Sequence, residues 1–405
     1  MGDRVYEMPG IQDQITYDVL AQRLLAGKGY SFPAGWYPFT PPETPTAHWS
    51  FLYPAWLASI YGIAGYHPLL ARLLQTVFVG VAGSLLVYRL TKRLFGVRVA
   101  LIATGLGAVY TYFVYYSAAL MTEAFFMVAA LAALELGYMI TQKPTLLRTI
   151  ALGVVLGIGI LLRQTLLLFL PVLWLWLWRQ NRRKIPWWQY VLILLIPVIF
   201  ILPITLRNYA TYGRFLLLNS NSGYVLYSSN HPNTGFDWAP SNSVNPIPEE
   251  LYGLNEAELD ARLTQMGIQF IVADPVRYLF LTLSKFKEYY KFWPSSEASL
   301  ISNLQRPLSF GWLLPLALVG LYLARAQWRQ WSLLMLFVFV VAALHLLTWP
   351  TARYRVPTDA CLLPFAALTL YRLCQRIAGS PIPRTNHAHP VPDSLSRSRT
   401  YSRLQ

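Results

Sequence analysis

Nine long apolar runs dominate this chain of 405 residues. A helix that crosses a bilayer needs roughly 20 apolar residues. Only 13% of the residues are charged, against roughly 25% in an average soluble domain. This pattern excludes a soluble enzyme and a disordered chain, and the runs lack the alternation of a β-barrel. It predicts an all-α polytopic membrane protein, whose spans we place at 68–90, 98–116, 118–140, 147–162, 165–178, 187–206, 308–324, 331–348 and 357–374.

The predicted spans divide the chain into five parts. Residues 1–66 form an outer segment with interfacial helices, whereas 67–206 and 308–374 carry the membrane helices. Residues 207–307 are polar and form an outer loop domain. The tail, 375–405, is rich in Ser, Arg and Pro and is expected to be disordered in the cytoplasm.

The net charge of +15 indicates topology and not nucleic-acid binding. Lysines and arginines concentrate in alternate short connections, such as 89–98 and 179–184, and in the tail. The positive-inside rule makes that side cytoplasmic, as expected for a multi-pass protein of the inner membrane. Residues 1–66 then lie outside, although no signal peptide or earlier span is visible to carry them there. We therefore expect the true start to lie upstream, with one span missing.

The first outer segment contains a predicted amphipathic helix, 11–26, of the kind that lies along a membrane surface. Asp13 and Tyr17 are four residues apart and share one face. Asp18 lies about 140° around the helix from Asp13, so the two carboxylates are not a pair. From the sequence alone, the simpler interpretation of Asp13 is a solvated polar face.

A second interfacial helix is predicted at 45–66. Two amphipathic helices are predicted at 255–272 and 275–292, and we expect the second to rest on the outer leaflet. The stretch between the sixth span and 255 reads as turns, because Gly, Asn and Pro recur in it. His48 is a candidate ligand or base, although a lone histidine is more often a structural hydrogen-bonding group.

Ionisable residues inside or at the edge of the membrane are costly and therefore usually functional. Arg72 and Glu123 lie within predicted spans. Four arginines lie at the outer ends of spans or in short outer loops: Arg163, Arg207, Arg353 and Arg355. Snorkelling toward the headgroups explains one or two of them. It explains four in short outer turns less well, and the alternative is an anionic ligand at the outer face, such as a lipid phosphate.

No P-loop, GxGxxG, HExxH or CxxC motif is present, so a cytosolic nucleotide site is not indicated. Eight short motifs instead occur in a definite order and on the outer side. They are D-x-x-x-Y at 13–17, A-x-x-L-x-x-G-x-G-Y at 21–30, Tyr53-Pro54, R-L-x-Q at 72–75, Thr122-Glu123, G-x-x-x-L-x-R at 157–163, R-N-x-x-x-x-G at 207–213 and R-Y-R-x-P at 353–357. Together they resemble the C-type (GT-C) glycosyltransferases, specifically the relatives of protein O-mannosyltransferases and of the bacterial aminoarabinose transferase.

The resemblance implies a GT-C-like bundle of about nine visible transmembrane helices, with the first family helix absent. It implies an inverting transfer of a sugar from a polyprenyl-phosphate donor to an acceptor hydroxyl at the outer face. Asp13 would be the catalytic carboxylate, and the four outer arginines would hold the lipid phosphate. Candidate sugar or acceptor contacts are Tyr17, Asp18, Glu43, His48, Arg72 and Glu123.

Several points stay open at this stage. The aminoarabinose branch has an E-K-P-P run where this chain has 46–49, Thr-Ala-His-Trp. No metal ligand is assigned and no cofactor is certain, which leaves a divalent metal open. The acceptor could be a lipid, a glycan or a protein. The alternative functions are a transporter or flippase of an anionic lipid-linked substrate, and a membrane scaffold. The chain shows neither the repeated halves typical of transporters nor helices broken near mid-membrane.

Overall fold

The computed structural model describes residues 2–6, 11, 13–35, 40–181, 184–240, 243–296 and 298–379. Within these ranges the regular elements are helices, together with one isolated bridge between Ser31 and Pro45. The predicted tail lies outside the described residues from position 380 onward. The α-helices are α1 (Asp13–Leu25), α2 (Leu52–Ala64), α3 (Pro68–Phe95), α4 (Val97–Val109), α5 (Thr111–Ala118), α6 (Thr122–Gln142), α7 (Leu146–Leu162), α8 (Thr165–Asn181), α9 (Trp187–Tyr212), α10 (Ser222–Asn230), α11 (Glu256–Ala273), α12 (Pro275–Tyr289), α13 (Leu300–Arg306), α14 (Trp312–Leu323), α15 (Trp328–Leu347) and α16 (Val356–Ile377).

Helices occupy all nine predicted spans, and the all-helical membrane class is confirmed. Five described helical segments are long and apolar enough to cross a bilayer, or seven if two bent pairs each count as one span. The number nine is therefore not confirmed. The predicted span 98–116 is two helices, α4 and α5, which meet at an angle of 54° beside Tyr110.

The outer segments differ from the predictions in three places. The helix expected at 45–66 begins only at Leu52, because 45–51 run as loop. The expected turn region contains a helix, α10. The sixth span continues to Tyr212 and ends at Gly213, whose φ of 66° is the left-handed conformation that glycine adopts readily. Composition was not sufficient to predict α10, since Asn, Ser and Gly favour turns but do not exclude a helix that packs against a neighbour.

The two predicted outer helices are present as α11 and α12. The side chain of Asn255 caps the first of them in a capping box with Glu258. Asp274 caps the second by accepting a hydrogen bond of 2.8 Å from the backbone of Arg277. The helices form an elbow of 106° at this point.

The membrane helices pack closely around α16, whose first half is buried among α14, α4, α6 and α3. Gly320 allows the approach of α14, because a Cβ there would lie 2.0 Å from the carbonyl oxygen of Phe365. Gly157 does the same for α7 against Phe200 of α9. Small residues at such contacts are typical of helix pairs in membranes.

Candidate active site

A cavity of about 340 Å³ opens where the start of α1, the start of α8 and the end of α15 meet the loops around Trp49, Asn219 and Trp349. Its size is at the lower end of the range for small-molecule sites. Charged, neutral polar and aromatic side chains all face it. The lining residues are Asp13, Tyr17, Trp49, Ser50, Thr122, Leu162, Arg163, Gln164, Thr165, Leu167, Leu168, Asn219, Asn221, Ser222, Val225, Leu344, His345, Thr348, Trp349, Arg353 and Tyr354.

Asp13 is the only carboxylate that lines this cavity among the described residues. It begins α1, and its Oδ2 accepts a hydrogen bond of 2.6 Å from Nη1 of Arg353. Both side chains are only partly exposed, at 19% and 17%. Among the described residues, Oδ1 accepts no hydrogen bond. That oxygen is therefore free to accept a hydrogen bond from a bound molecule.

Arg353 also lies beside a second carboxylate, that of Glu123 at the start of α6. The distance from its Nε to Oε1 of Glu123 is 3.7 Å. The same oxygen accepts a hydrogen bond of 2.7 Å from Nη1 of Arg163. The carboxylate of Glu123 is 3% exposed, so it is buried behind the cavity wall. Two arginines thus alternate with two carboxylates, and the network has no net charge.

Aromatic rings hold this network in place. The guanidinium of Arg163 lies 4.4 Å from the ring centre of Tyr354, and that of Arg353 lies 5.0 Å from it. The ring of His345 stacks on Tyr354 at 4.4 Å. Burial raises the pKa of Tyr17, and the charges of Asp13 and Glu123 raise it further. The phenol therefore stays protonated and is able to donate a hydrogen bond.

A second, smaller cleft of about 120 Å³ adjoins the cavity and shares Trp49 and Asn219 with it. Its apolar wall includes Leu161 of α7 and Ile204 of α9. Arg207 lies at its polar end and donates a hydrogen bond of 2.8 Å to the carbonyl of Thr46. None of the ion pairs among the described residues includes Arg207. It is therefore a cation whose charge is not balanced by a carboxylate at contact distance.

Some predicted site residues lie elsewhere and have other partners. Arg355 is 1% exposed and pairs with Asp359 at 3.1 Å, within the helix bundle. Its guanidinium also lies 3.5 Å from the ring centre of Phe310. The four outer arginines therefore do not form one cluster. Arg163 and Arg353 face the cavity, Arg207 faces the cleft, and Arg355 faces neither.

The remaining candidates are also outside both cavities. Asp18 accepts hydrogen bonds from Tyr61 at 2.6 Å and Tyr66 at 2.9 Å, so it joins α1 to the segment around α2. Glu43 is mostly exposed and pairs with Arg23. His48 and Arg72 are buried but do not line the cavity. Burial lowers the pKa of His48, although Glu256 and Asp13 oppose this shift.

The described residues do not fit a metal site. They contain no group of three or more His, Cys, Asp and Glu side chains placed to hold an ion. The two carboxylates at the cavity, Asp13 and Glu123, already have arginines as partners. With arginines as partners and no third ligand beside them among the described residues, these two carboxylates do not form a cation site.

Sequence reasoning missed the neutral polar residues of the cavity. Gln164 directly follows Arg163, and Tyr354 lies inside the R-Y-R motif. The motifs could therefore have indicated both residues. Asn219 and Asn221 carried no such signal, because they lie in a loop that resembles an ordinary turn. The loop brings them to the cavity only after folding.

Comparison with known proteins confirms the resemblance to the C-type glycosyltransferases. Residues 49–204 match the family described as dolichyl-phosphate-mannose-protein mannosyltransferase. This segment contains Arg72, Glu123 and Arg163 but ends before Arg207 and begins after Asp13. No curated protein matches the chain.

The fold is shared with the archaeal oligosaccharyltransferase AglB from Archaeoglobus fulgidus. In its complex with an inhibitory peptide and a dolichol-phosphate, that structure matches with a TM-score of 0.55 at 14% identity, over 92% of this chain and 48% of AglB. This chain thus spans about half the length of AglB. ArnT from Cupriavidus metallidurans, bound to undecaprenyl phosphate, aligns at 15% identity over 91% of this chain and 75% of ArnT. Its TM-score of 0.38 is too low to establish a shared fold.

Proposed function

We propose that this GT-C-like chain is an inverting glycosyltransferase that moves a sugar from a polyprenyl-phosphate donor to an acceptor hydroxyl. The observation that carries the proposal is the division of charge between the cavity and the cleft. A carboxylate with one free oxygen faces the cavity, and an arginine without a carboxylate partner faces the adjoining cleft. A base and a separate anion site are the two elements that this transfer needs.

The cleft at Arg207 suits the phosphate of the donor. Arg163 and Arg353 are neutralised by Glu123 and Asp13, whereas Arg207 retains its full charge. The apolar wall formed by Leu161 and Ile204 suits the first isoprene units of a membrane-borne lipid. The sugar would then pass between Trp49 and Asn219, which both sites share, and reach the cavity.

The neutral polar side chains suit the sugar. Gln164, Asn219 and Asn221 offer amide donors and acceptors for hydroxyl groups. Trp49 and Trp349 offer apolar ring faces in the same cavity. The acceptor can be a lipid, a glycan or a protein, provided that it presents a hydroxyl group to the cavity.

The chemistry then follows from the positions of the charges. Oδ1 of Asp13 removes the proton of the acceptor hydroxyl as its oxygen bonds to the anomeric carbon. The bond from that carbon to the phosphate oxygen breaks, and polyprenyl phosphate leaves with one additional negative charge. Arg207 stabilises this developing charge. One direct displacement inverts the anomeric centre.

We also propose a membrane and a side of that membrane for the active site. The outer ends of the helices carry this site, whereas the basic connections lie at their other ends. The positive-inside rule then places the active site on the extracytoplasmic face of the cytoplasmic membrane.

The first test is sugar transfer by the wild type and by Asp13→Asn. Both are reconstituted with membranes that contain the endogenous acceptors, and the probe is radiolabelled polyprenyl-phosphate mannose. Glu258→Gln, at a position that lines neither the cavity nor the cleft, is the control. We expect transfer by the wild type and the control, and a loss of at least about a hundredfold in Asp13→Asn.

Two outcomes contradict the proposal. Equal transfer by the wild type and Asp13→Asn removes Asp13 as the base. If no protein transfers sugar, but the wild type and Asp13→Asn both move the labelled lipid across vesicles, the chain is a flippase.

A further inference from the structure

Two buried polar residues of α3, Arg72 and Gln75, are not used by the proposed mechanism. They form the R-L-x-Q motif, and neither lines the cavity or the cleft. Arg72 is 3% exposed and Gln75 is fully buried. Burial of such groups is costly unless they are hydrogen-bonded, so their partners indicate their role.

Gln75 holds one turn through its amide nitrogen and contacts α2 through its amide oxygen. Its nitrogen donates hydrogen bonds of 2.8 Å to the carbonyl of Ser117 and 2.7 Å to that of Ala119. Its oxygen accepts a hydrogen bond of 2.7 Å from Tyr53. The carbonyls belong to the turn formed by the last residues of α5 and the link to α6. Glu123 follows this turn at the start of α6.

Arg72 connects the same turn to the first turn of α1. Its Nη1 donates a hydrogen bond of 2.8 Å to the carbonyl of Ala118 and one of 3.2 Å to the side chain of Gln14. Gln14 is the neighbour of Asp13. One guanidinium therefore touches both segments that carry the carboxylates of the site.

We propose that Arg72 and Gln75 are positioning residues, which fix the start of α1 and the start of α6 at the spacing that lets Arg353 contact both Asp13 and Glu123. The inference rests on the proposed role of Asp13. Arg353 must keep its contacts of 2.6 Å with Asp13 and 3.7 Å with Glu123. A displacement of 1 Å at such a site can reduce a rate by about a hundredfold.

The test compares two buried glutamines on opposite sides of the membrane. Gln75→Met removes the hydrogen bonds but keeps the length of the side chain. Gln189→Met is the matched control, because Gln189 is also buried and accepts a hydrogen bond of 3.1 Å from Thr149 at the other end of the bundle. We expect kcat to fall about tenfold or more in Gln75→Met and less than about twofold in Gln189→Met.

A double-mutant cycle separates positioning from a general loss of stability. Gln75→Met is measured alone and with Arg353→Lys. If Gln75 acts through the carboxylate–arginine network, its effect on kcat is much smaller once Arg353 has been changed. Equal effects of Gln75→Met in both backgrounds overturn the inference.

Amide hydrogen exchange gives a readout that needs no enzymatic activity. Gln75→Met and Arg72→Lys should speed exchange at 13–17 and 117–125, and Gln189→Met should not. Unchanged exchange at both segments in both variants overturns the positioning role. If the two variants exchange faster but even the wild type transfers no sugar, the result supports the positioning role and contradicts only the proposed function.

Discussion

Arg353 donates a hydrogen bond of 2.6 Å to Asp13, although the two residues are 340 positions apart in the chain. Arg353 lies in the short helical turn that precedes α16, and Asp13 begins α1. The contact joins the last outer loop to the first helix. The candidate base is thus held by a residue from the C-terminal part of the chain.

Removal of this arginine should reduce turnover. Arg353→Gln deprives both Asp13 and Glu123 of a cation, and we expect kcat to fall by about 10² to 10³. Arg353→Lys should recover only part of the loss, because an ammonium lacks the planar fork that reaches two carboxylates. Single-turnover transfer kinetics measure both variants. Arg214→Gln removes an exposed ion pair with Glu258 and serves as the control. A wild-type rate in Arg353→Gln would contradict the network.

Arg207 should govern affinity for the lipid phosphate. Polyprenyl phosphate, the product, carries one more negative charge than the donor, so Arg207→Gln should weaken product binding more than donor binding. A charged hydrogen bond of about 1.5–3 kcal/mol corresponds to about 10- to 150-fold in affinity for the product. Calorimetric titration of the purified protein with polyprenyl phosphate measures this loss. Unchanged affinity would move the phosphate site to Arg163 and Arg353.

Asp18 should contribute to stability and not to turnover. Its carboxylate accepts hydrogen bonds from Tyr61, Tyr66 and Gln22. An amide in its place satisfies fewer donors, so Asp18→Asn should cost about 1–3 kcal/mol. A lower thermal midpoint with an unchanged kcat per folded molecule is expected. The reverse, a normal midpoint with lost turnover, would restore Asp18 as an acceptor contact.

Lys285 should make stability depend on pH. Its amino group is buried in α12, where burial and then the charge of Arg277 lower its pKa to about 7. The unfolded value is about 10.4. Between these values the unfolded chain binds a proton that the folded protein lacks, so stability should rise with pH across this window.

The variant Lys285→Met removes the titrating group and should flatten this slope. Thermal midpoints of the wild type and the variant between pH 6.5 and 9.5 measure the difference. The variant should also have the higher midpoint near pH 7, because no charge remains to be buried. Parallel curves for the two proteins would show that Lys285 does not titrate in this range.

Local patterns in the sequence predicted the helices well but not the partners of their side chains. The outer helices 255–272 and 275–292 were placed to within a few residues, since caps such as Asp274 are local signals. The break in the second span at Tyr110 was missed, although Gly105 and Gly107 lie just before it, because glycines are common in membrane helices. The helix α10 was not predicted because its residues favour turns. Its packing against α11 stabilises it, and that packing is not a local signal.

The sequence by itself determined the class of the molecule, its helical segments and the set of charged residues at one membrane face. Apolar length and local capping are sufficient for that, because a bilayer requires backbone groups to be satisfied within each helix. Only the tertiary structure decided which charges meet. Arg353 and Arg355 are two residues apart, yet one contacts Asp13 at the cavity and the other pairs with Asp359 in the bundle. Neighbouring side chains on a helical turn point in different directions, and long-range packing determines what each of them reaches.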